Sequence, residues 1–324
     1  MTKFEKPTVV ISKCIEHDHC RYDGSMITSE VVKMLKPYVN FETVCPEMAI
    51  GLPSPREALR IVRLEDNKDR LVFSQSGAEK TEDMVAFSDT FLQGLNRPEI
   101  DGFILKHRSP SCGMNDVKIY KGPGKSNIIP GKTNGIFGSK VLEYYPNVPV
   151  ENEGRMRNYN LREAFLIGIF AIRGFKTVKY SGSMKDLVKY HANNKYLFMA
   201  LSPGHLKTLG KIVANHEKLD FEALTETYEE TLIKLLLQPM DRGRNINAIF
   251  HVFGYFKEVL SSEEKAYFLE CLEMYNKKKV PFSMLLGLLR SWSIRFNIEY
   301  LKDQTIFEPF PKELFDVTDS GKGL

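Results

Sequence analysis

Cys14, Cys45 and Cys112 each stand just after a short apolar run, and three thiols so placed can hold a metal. TVVIS (8–12) precedes Cys14, FETV (41–44) precedes Cys45, and GFILK (102–106) precedes the SPSCG turn that contains Cys112. In an open parallel sheet the carboxyl ends of the strands line one edge, and ligands bind there. Thiols far apart in sequence would meet at that edge. Three thiolates permit a zinc ion with one open position, or an iron–sulfur cluster short of its usual fourth thiolate. The residue types alone allow either. An open iron would act as a Lewis acid with a preference for soft ligands such as sulfide.

The neighbours of these thiols add chemistry. Cys45-Pro46-Glu47 puts a carboxylate two residues from a thiol. Glu47 reads equally as a catalytic acid or base and as a first-turn acid favoured by a helix dipole. Ser109-Pro110-Ser111-Cys112-Gly113 surrounds another thiol with two hydroxyls and a glycine that lets the backbone approach closely. Lys106, His107 and Arg108 precede it, placed to meet phosphate or a developing negative charge. Cys20 lies six residues after Cys14; as a fourth ligand it would close the metal site and make it structural. Cys271 falls on an apolar helical stripe and reads as core, while His17, His19 and Arg56 read as surface groups.

The elements that must position these residues change character midway. Strand-like runs at 8–12, 41–44, 59–64 and 102–105 alternate with helical spacing at 28–35 and 82–95, the pattern of an α/β fold with a parallel sheet. Glu151 to Asn160 is polar and leads out of this first domain, assigned to residues 1–155. In residues 156–324 the apolar positions follow helical spacing, as at Leu161, Ala164, Phe165, Gly168 and Ile169. No strand pattern follows residue 182, so a mostly helical domain is predicted. Its opening stretch carries Arg173, Lys176, Lys179, Lys185, Lys189, Lys195, Lys207 and Lys211, interleaved with Tyr180, Tyr190, His191 and His205. Such runs are commonly solvated faces, yet basic and aromatic residues together also suit RNA.

The whole chain narrows the classes. Its 324 residues carry a net charge of +4 and are 43% hydrophobic, ordinary for a globular protein. No segment reaches the ~18 apolar residues needed to span a bilayer, and Met1 to Pro7 lacks the apolar core of a secretory signal. Five cysteines are an odd number, which favours reduced thiols over a disulfide framework. A cytoplasmic location is expected. Gly122-Pro123-Gly124-Lys125-Ser126 resembles the end of a phosphate loop, but the glycine such a loop requires is replaced by Ile119. It is read as a flexible basic loop over the site.

Taken together, Ser12-Lys13-Cys14, Arg21-Tyr22-Asp23-Gly24, Cys45-Pro46-Glu47, Gly51-Leu52 with Pro55-Arg56, and Ile104-Leu105-Lys106 with SPSCG resemble the thiouracil desulfidase family. The resemblance covers about the first 150 residues. It implies a [4Fe–4S] cluster on Cys14, Cys45 and Cys112, and Glu47 with Ser109 or Ser111 assisting proton transfer or substrate placement. The fourth iron would take sulfur from the base through a [4Fe–5S] state without net redox change. Lys195-Tyr196-Leu197-Phe198-Met199-Ala200, Leu209-Gly210, Asn247, His251, Gly254-Tyr255-Phe256-Lys257 and Pro281 resemble a helical domain often fused to such desulfidases. Leu201-Ser202 departs from that pattern, in which His-Ser is commoner. The fusion implies a tRNA substrate carrying 4-thiouridine; the basic residues Lys106, Arg108, Lys185, Lys189, Lys207 and Lys211 are read from the charge pattern as its RNA contacts. The alternatives are a desulfidase of free thiouracil and a non-catalytic metal protein that binds RNA.

Overall fold

The computed structural model describes residues 4–96 and 99–321, and these fall into two compact units. One is Lys6–Phe165 with Thr318–Ser320; the other is built on Leu166–Val317.

The first unit is α/β and contains two sheets. Strands β1 (Thr8–Ser12), β2 (Asn40–Val44), β5 (Ile100–Leu105) and β8 (Val150–Asn152) form a wholly parallel sheet in the order β2-β1-β5-β8. Val9, Val10 and Ile11 of β1 and Phe103, Ile104 and Leu105 of β5 are fully buried. Such continuous apolar runs belong to central parallel strands covered on both faces. The predicted parallel sheet is therefore present, with the three cysteine-bearing strands as neighbours.

The strand at Leu59 does not join that sheet. β3 (Leu59–Arg63), β4 (Asp69–Phe73), β6 (Val117–Tyr120) and β7 (Ile128–Thr133) form a second, mixed sheet in the order β4-β3-β6-β7. β3 pairs antiparallel with β4 and parallel with β6, and β6 pairs antiparallel with β7. Arg63 and Asp69 close the β3–β4 hairpin with two hydrogen bonds of 2.6 and 2.9 Å. Ile61, Leu71 and Ile119 of this sheet share one core with Phe103 and Leu105 of the other, and with Met84 and Phe137 from helices. Those helices are α3 (Thr81–Gly94) and α4 (Ile136–Tyr144); α1 (Glu30–Leu35) and α2 (Pro46–Ala49) flank the parallel sheet's connections. Helix α1 begins at Ser29, whose hydroxyl accepts from Val32 N, a standard N-terminal cap.

The second unit is built of helices, with no strand among its described residues. α5 (Tyr159–Ser181) is followed by α6 (Met184–Asn193), α7 (Lys195–Leu201), α8 (Pro203–Ala214), α9 (Phe221–Leu236) and α10 (Arg242–Phe253). α11 (Ser262–Asn276), α12 (Phe282–Arg295) and α13 (Glu299–Lys302) complete it. The apolar stripes lie inward as their spacing predicts: Leu232, Leu235 and Leu236 on α9, and Phe268, Cys271, Leu272 and Tyr275 on α11, are buried. No helix among the described residues is long and apolar enough to cross a membrane.

Candidate active site

Because β2, β1 and β5 are adjacent and parallel, the segments bearing Cys45, Cys14 and Cys112 leave the sheet at one edge. Backbone bonds hold those ends together. Lys13 N donates to Val44 O at 2.7 Å, and Lys106 N donates to Ser12 Oγ at 3.0 Å. Cys14, Cys20, Cys45 and Cys112 all line one cavity of about 380 Å³, near the small end of the range for small-molecule sites. The cavity lies within the α/β unit.

Each thiol has a local reason for its place. Cys45 is the N-cap of α2, and Pro46 at the first helical position needs no N–H there. Cys112 sits in a turn organised by Ser109, whose Oγ accepts from Ser111 N (3.2 Å) and Cys112 N (3.1 Å). Helix α4 clamps the far side of that turn. Two N–H groups of its first turn, which have no partner inside the helix, donate outward: Ile136 N to Pro110 O (3.1 Å) and Gly138 N to Ser111 O (3.0 Å). The approach admits only glycine. A Cβ on Gly138 would lie 2.4 Å from Gly113 O, and one on Gly135 would lie 2.5 Å from Ser111 O.

Cys20, which is buried, lies beside Cys14 and Cys45, and Cys45 Sγ donates to its carbonyl oxygen at 3.9 Å. The neighbouring Cys14 thiol and burial push its thiol up to about 11. Cys45 is held well above the usual thiol value by its bond to Cys20 and then by burial. Burial pushes Cys112 up to about 12, although bonds to Ser12 and Ser109 pull the other way. A metal that takes Cys45 and Cys112 as thiolates must therefore release their protons.

Glu47 stands at the cavity wall between two partners. Its Oε2 accepts from Arg56 Nε (2.8 Å) and Nη2 (2.5 Å), and its Oε1 accepts from Ser111 Oγ (2.8 Å). The side chains of Arg56 and Glu47 are only 4% and 13% exposed. Arg56 is therefore no surface group, contrary to the sequence reading; the fold turns the Pro55-Arg56 segment inward onto the carboxylate. Both line the cavity, as does Ser109, whereas the fully buried Ser111 lies behind it and touches Glu47.

Lys106 and Arg108 also line the cavity. Lys106 is committed to Glu153, 2.6 Å away. Arg108 is exposed and adopts the left-handed conformation (φ 58°), its N–H donating to Asp116 Oδ2 at 3.0 Å. Between them His107 packs against Gly154, where a Cβ would lie 2.5 Å from its Nδ1. Burial lowers its pKa, opposed by Asp116 and Glu153. The Gly122–Ser126 loop joins β6 to β7 and is tied to β3 by Arg60, whose Nη1 donates to Gly124 O at 2.9 Å. None of it lines the cavity, so it is not the cover that the sequence suggested.

In the helical unit the basic run divides into two kinds of residue. Lys179 pairs with Glu229 at 2.7 Å, Arg173 lies 3.8 Å from Glu5, and Lys176 is buried. Lys185 and Lys189 on α6, and Lys207 and Lys211 on α8, are exposed, on helices that pack together. None of these four has an ion-pair partner among the described residues. Sequence reading put Arg56 at the surface and overlooked Glu153 and the Gly135–Gly138 pair. The one signal available for the last was the GIFG spacing at the head of a helix.

Residues 9–153 match the family model described as 2-thiouracil desulfurase, and residues 195–311 match a family of unknown function, DUF1722. The chain is 30% identical over 149 residues to the uncharacterized protein YbbK of Bacillus subtilis (strain 168), spanning 45% of this chain and 96% of that protein. It is 26% identical over 152 residues to the uncharacterized protein YbgA of Escherichia coli (strain K12), spanning 46% of this chain and 90% of that protein. Among solved structures, the [4Fe-4S]-dependent thiouracil desulfidase TudS is 26% identical, with a TM-score of 0.37, over 47% of this chain and 93% of that one.

Proposed function

The chain belongs, through residues 9–153, to the 2-thiouracil desulfurase family, and from that premise we propose that it converts 4-thiouridine in tRNA to uridine, releasing hydrosulfide. The observation that carries this reading is the single cavity onto which three adjacent parallel strands deliver Cys45, Cys14 and Cys112.

The donor set fits a [4Fe–4S] cluster. All the thiols are soft ligands, suited to iron–sulfur chemistry. The cavity of about 380 Å³ lined by Cys14, Cys45 and Cys112 gives each thiol room to take a different iron of a cluster, although three thiols would also take a zinc ion. With three thiolates from Cys14, Cys45 and Cys112, the bound cluster supplies an iron free to attract sulfur.

The protein's own groups handle water and protons. Exchange of C=S for C=O consumes one water and yields hydrosulfide and one proton. Glu47, the carboxylate at the wall, is the acceptor for the proton of the attacking water. Ser111 fixes its Oε1 from behind. Ser109 Oγ accepts two backbone N–H bonds and its hydroxyl also bonds Cys112, so it holds the Cys112 turn at the cavity wall. The exposed lysines of α6 and α8 supply phosphate contacts for a polynucleotide. A second reading, action on free thiouracil, is favoured by the cavity itself, whose 380 Å³ suits a lone base.

The test is anaerobic incubation of iron-reconstituted protein with thiolated tRNA and, separately, with free thiouracil, followed by nucleoside and base analysis. Loss of 4-thiouridine with matching uridine and sulfide supports the proposal. Turnover of the free base alone establishes the second reading, and turnover of neither by cluster-loaded protein indicates a non-catalytic metal protein.

A further inference from the structure

Arg56 spends all its hydrogen-bonding capacity inside the protein. A guanidinium has five N–H donors. Nε and Nη2 donate to Glu47 Oε2, Nη1 and Nη2 both donate to Cys20 O at 3.1 Å, and Nη1 donates to Pro53 O at 2.9 Å. No donor is left for a substrate phosphate or a departing sulfide. The backbone N–H of Arg56 is also committed, to Tyr22 O at 2.7 Å. Two of these acceptors, Glu47 and the Cys20 carbonyl, belong to different pieces of the thiol cradle. Cys20 contacts Cys14 and Cys45. Glu47 lies two residues beyond Cys45, and its other oxygen holds Ser111, next to Cys112.

We infer that Arg56 is a positioning residue, a brace that joins the Cys20 segment, the Cys45–Glu47 segment and the Cys112 turn into one frame before any substrate arrives. The inference rests on the desulfidase reading for its catalytic consequence, but the brace itself is a property of the protein alone. It differs from simple neutralisation of a half-buried carboxylate. A lysine would neutralise Glu47 equally well. Only a planar fork can bond Glu47 and the Cys20 carbonyl at once in fixed geometry. Arg56→Lys therefore separates charge from brace.

The experiment compares wild type with Arg56→Lys in two arms. In the first, protein without added iron is treated with iodoacetamide and the labelling of each cysteine is followed by mass spectrometry. Cys20 should react roughly tenfold faster in Arg56→Lys, the consequence of losing charge-assisted bonds. In the second, both proteins are reconstituted with iron and assayed. Iron and sulfide content should be unchanged and KM close to wild type. The kcat should fall by about 10²-fold, as expected for a displaced catalytic group. Added guanidinium should restore part of the activity of Arg56→Ala. Should Arg56→Lys fail to fold, the Arg56→Met/Glu47→Gln double variant removes both charges together, avoiding an unpaired buried carboxylate; it should fold and still label Cys20 rapidly. Wild-type labelling rates in the folded variants, or an unaltered kcat in Arg56→Lys, would overturn the brace. If wild type proves inactive on every thiolated substrate while the labelling contrast holds, the brace stands and the desulfidase reading falls.

Discussion

A buried cysteine is ordinarily a small hydrophobic side chain, and Cys271 on α11 is one, fully enclosed by the helical core. Cys14, Cys45 and Cys112 differ because they face a cavity that also presents Glu47, Arg56 and Ser109. Replacing any of the three by Ala should abolish cluster uptake, read as iron and sulfide falling from about four each per chain. Cys271→Ala should leave both unchanged, and so should Cys20→Ala, whose contacts are to other thiols. Stoichiometric zinc with no cluster after anaerobic reconstitution would refute the assignment. In the same preparations Glu47→Gln should retain the cluster and lose about 10²- to 10⁴-fold in turnover. The thiols were legible in the sequence because each closes an apolar run. Arg56 was not, since a lone arginine between Pro55 and Glu57 acquires meaning only when the fold sets Glu47 and Cys20 O around it.

At the level of elements, the clamp between α4 and the Cys112 turn makes a sharp expectation. Gly138→Ala would place a methyl 2.4 Å from Gly113 O, a backbone atom that cannot swing aside. Destabilisation of about 1–3 kcal/mol, typical of overpacking, should appear as a lower denaturant midpoint. Gly174→Ala on α5 is the control. There the nearest neighbour is Tyr190 at 3.5 Å, and helix propensity should leave stability equal or improved by up to ~1 kcal/mol. Equal destabilisation of both variants would remove the special status of the clamp. The strands of the parallel sheet were readable as apolar runs, whereas the second sheet was mostly hidden. β3 alternates Arg60 and Arg63 with apolar residues, β6 is only four residues long, and β7 contains Pro130. Proline is tolerated there because β7 is an edge strand. No local pattern announces that β3 will pair with β6, which lies far along the chain.

Taken whole, the chain carries a thiol-lined cavity in one unit and a set of exposed lysines in another. Net charge alone could not separate lysines that pair internally from those that remain available; only the fold divides Lys179 from Lys185, Lys189, Lys207 and Lys211. Neutralising those four together should weaken tRNA binding and reduce the slope of log affinity against log salt by roughly 3, since each lost phosphate contact removes about 0.7–0.9. Iron content should not change. Identical slopes for variant and wild type in a salt titration would show these lysines to be a solvated face.

The strand order β2-β1-β5 also sets a timetable. Parallel neighbours cannot be joined by a tight hairpin and need long crossovers, so Cys14, Cys45 and Cys112 meet only after contacts between distant parts of the chain have formed. Contacts of that kind are the slow ones in folding. A cluster bound as proposed would take thiols that the sheet brings together, whereas in a zinc finger the metal does the gathering.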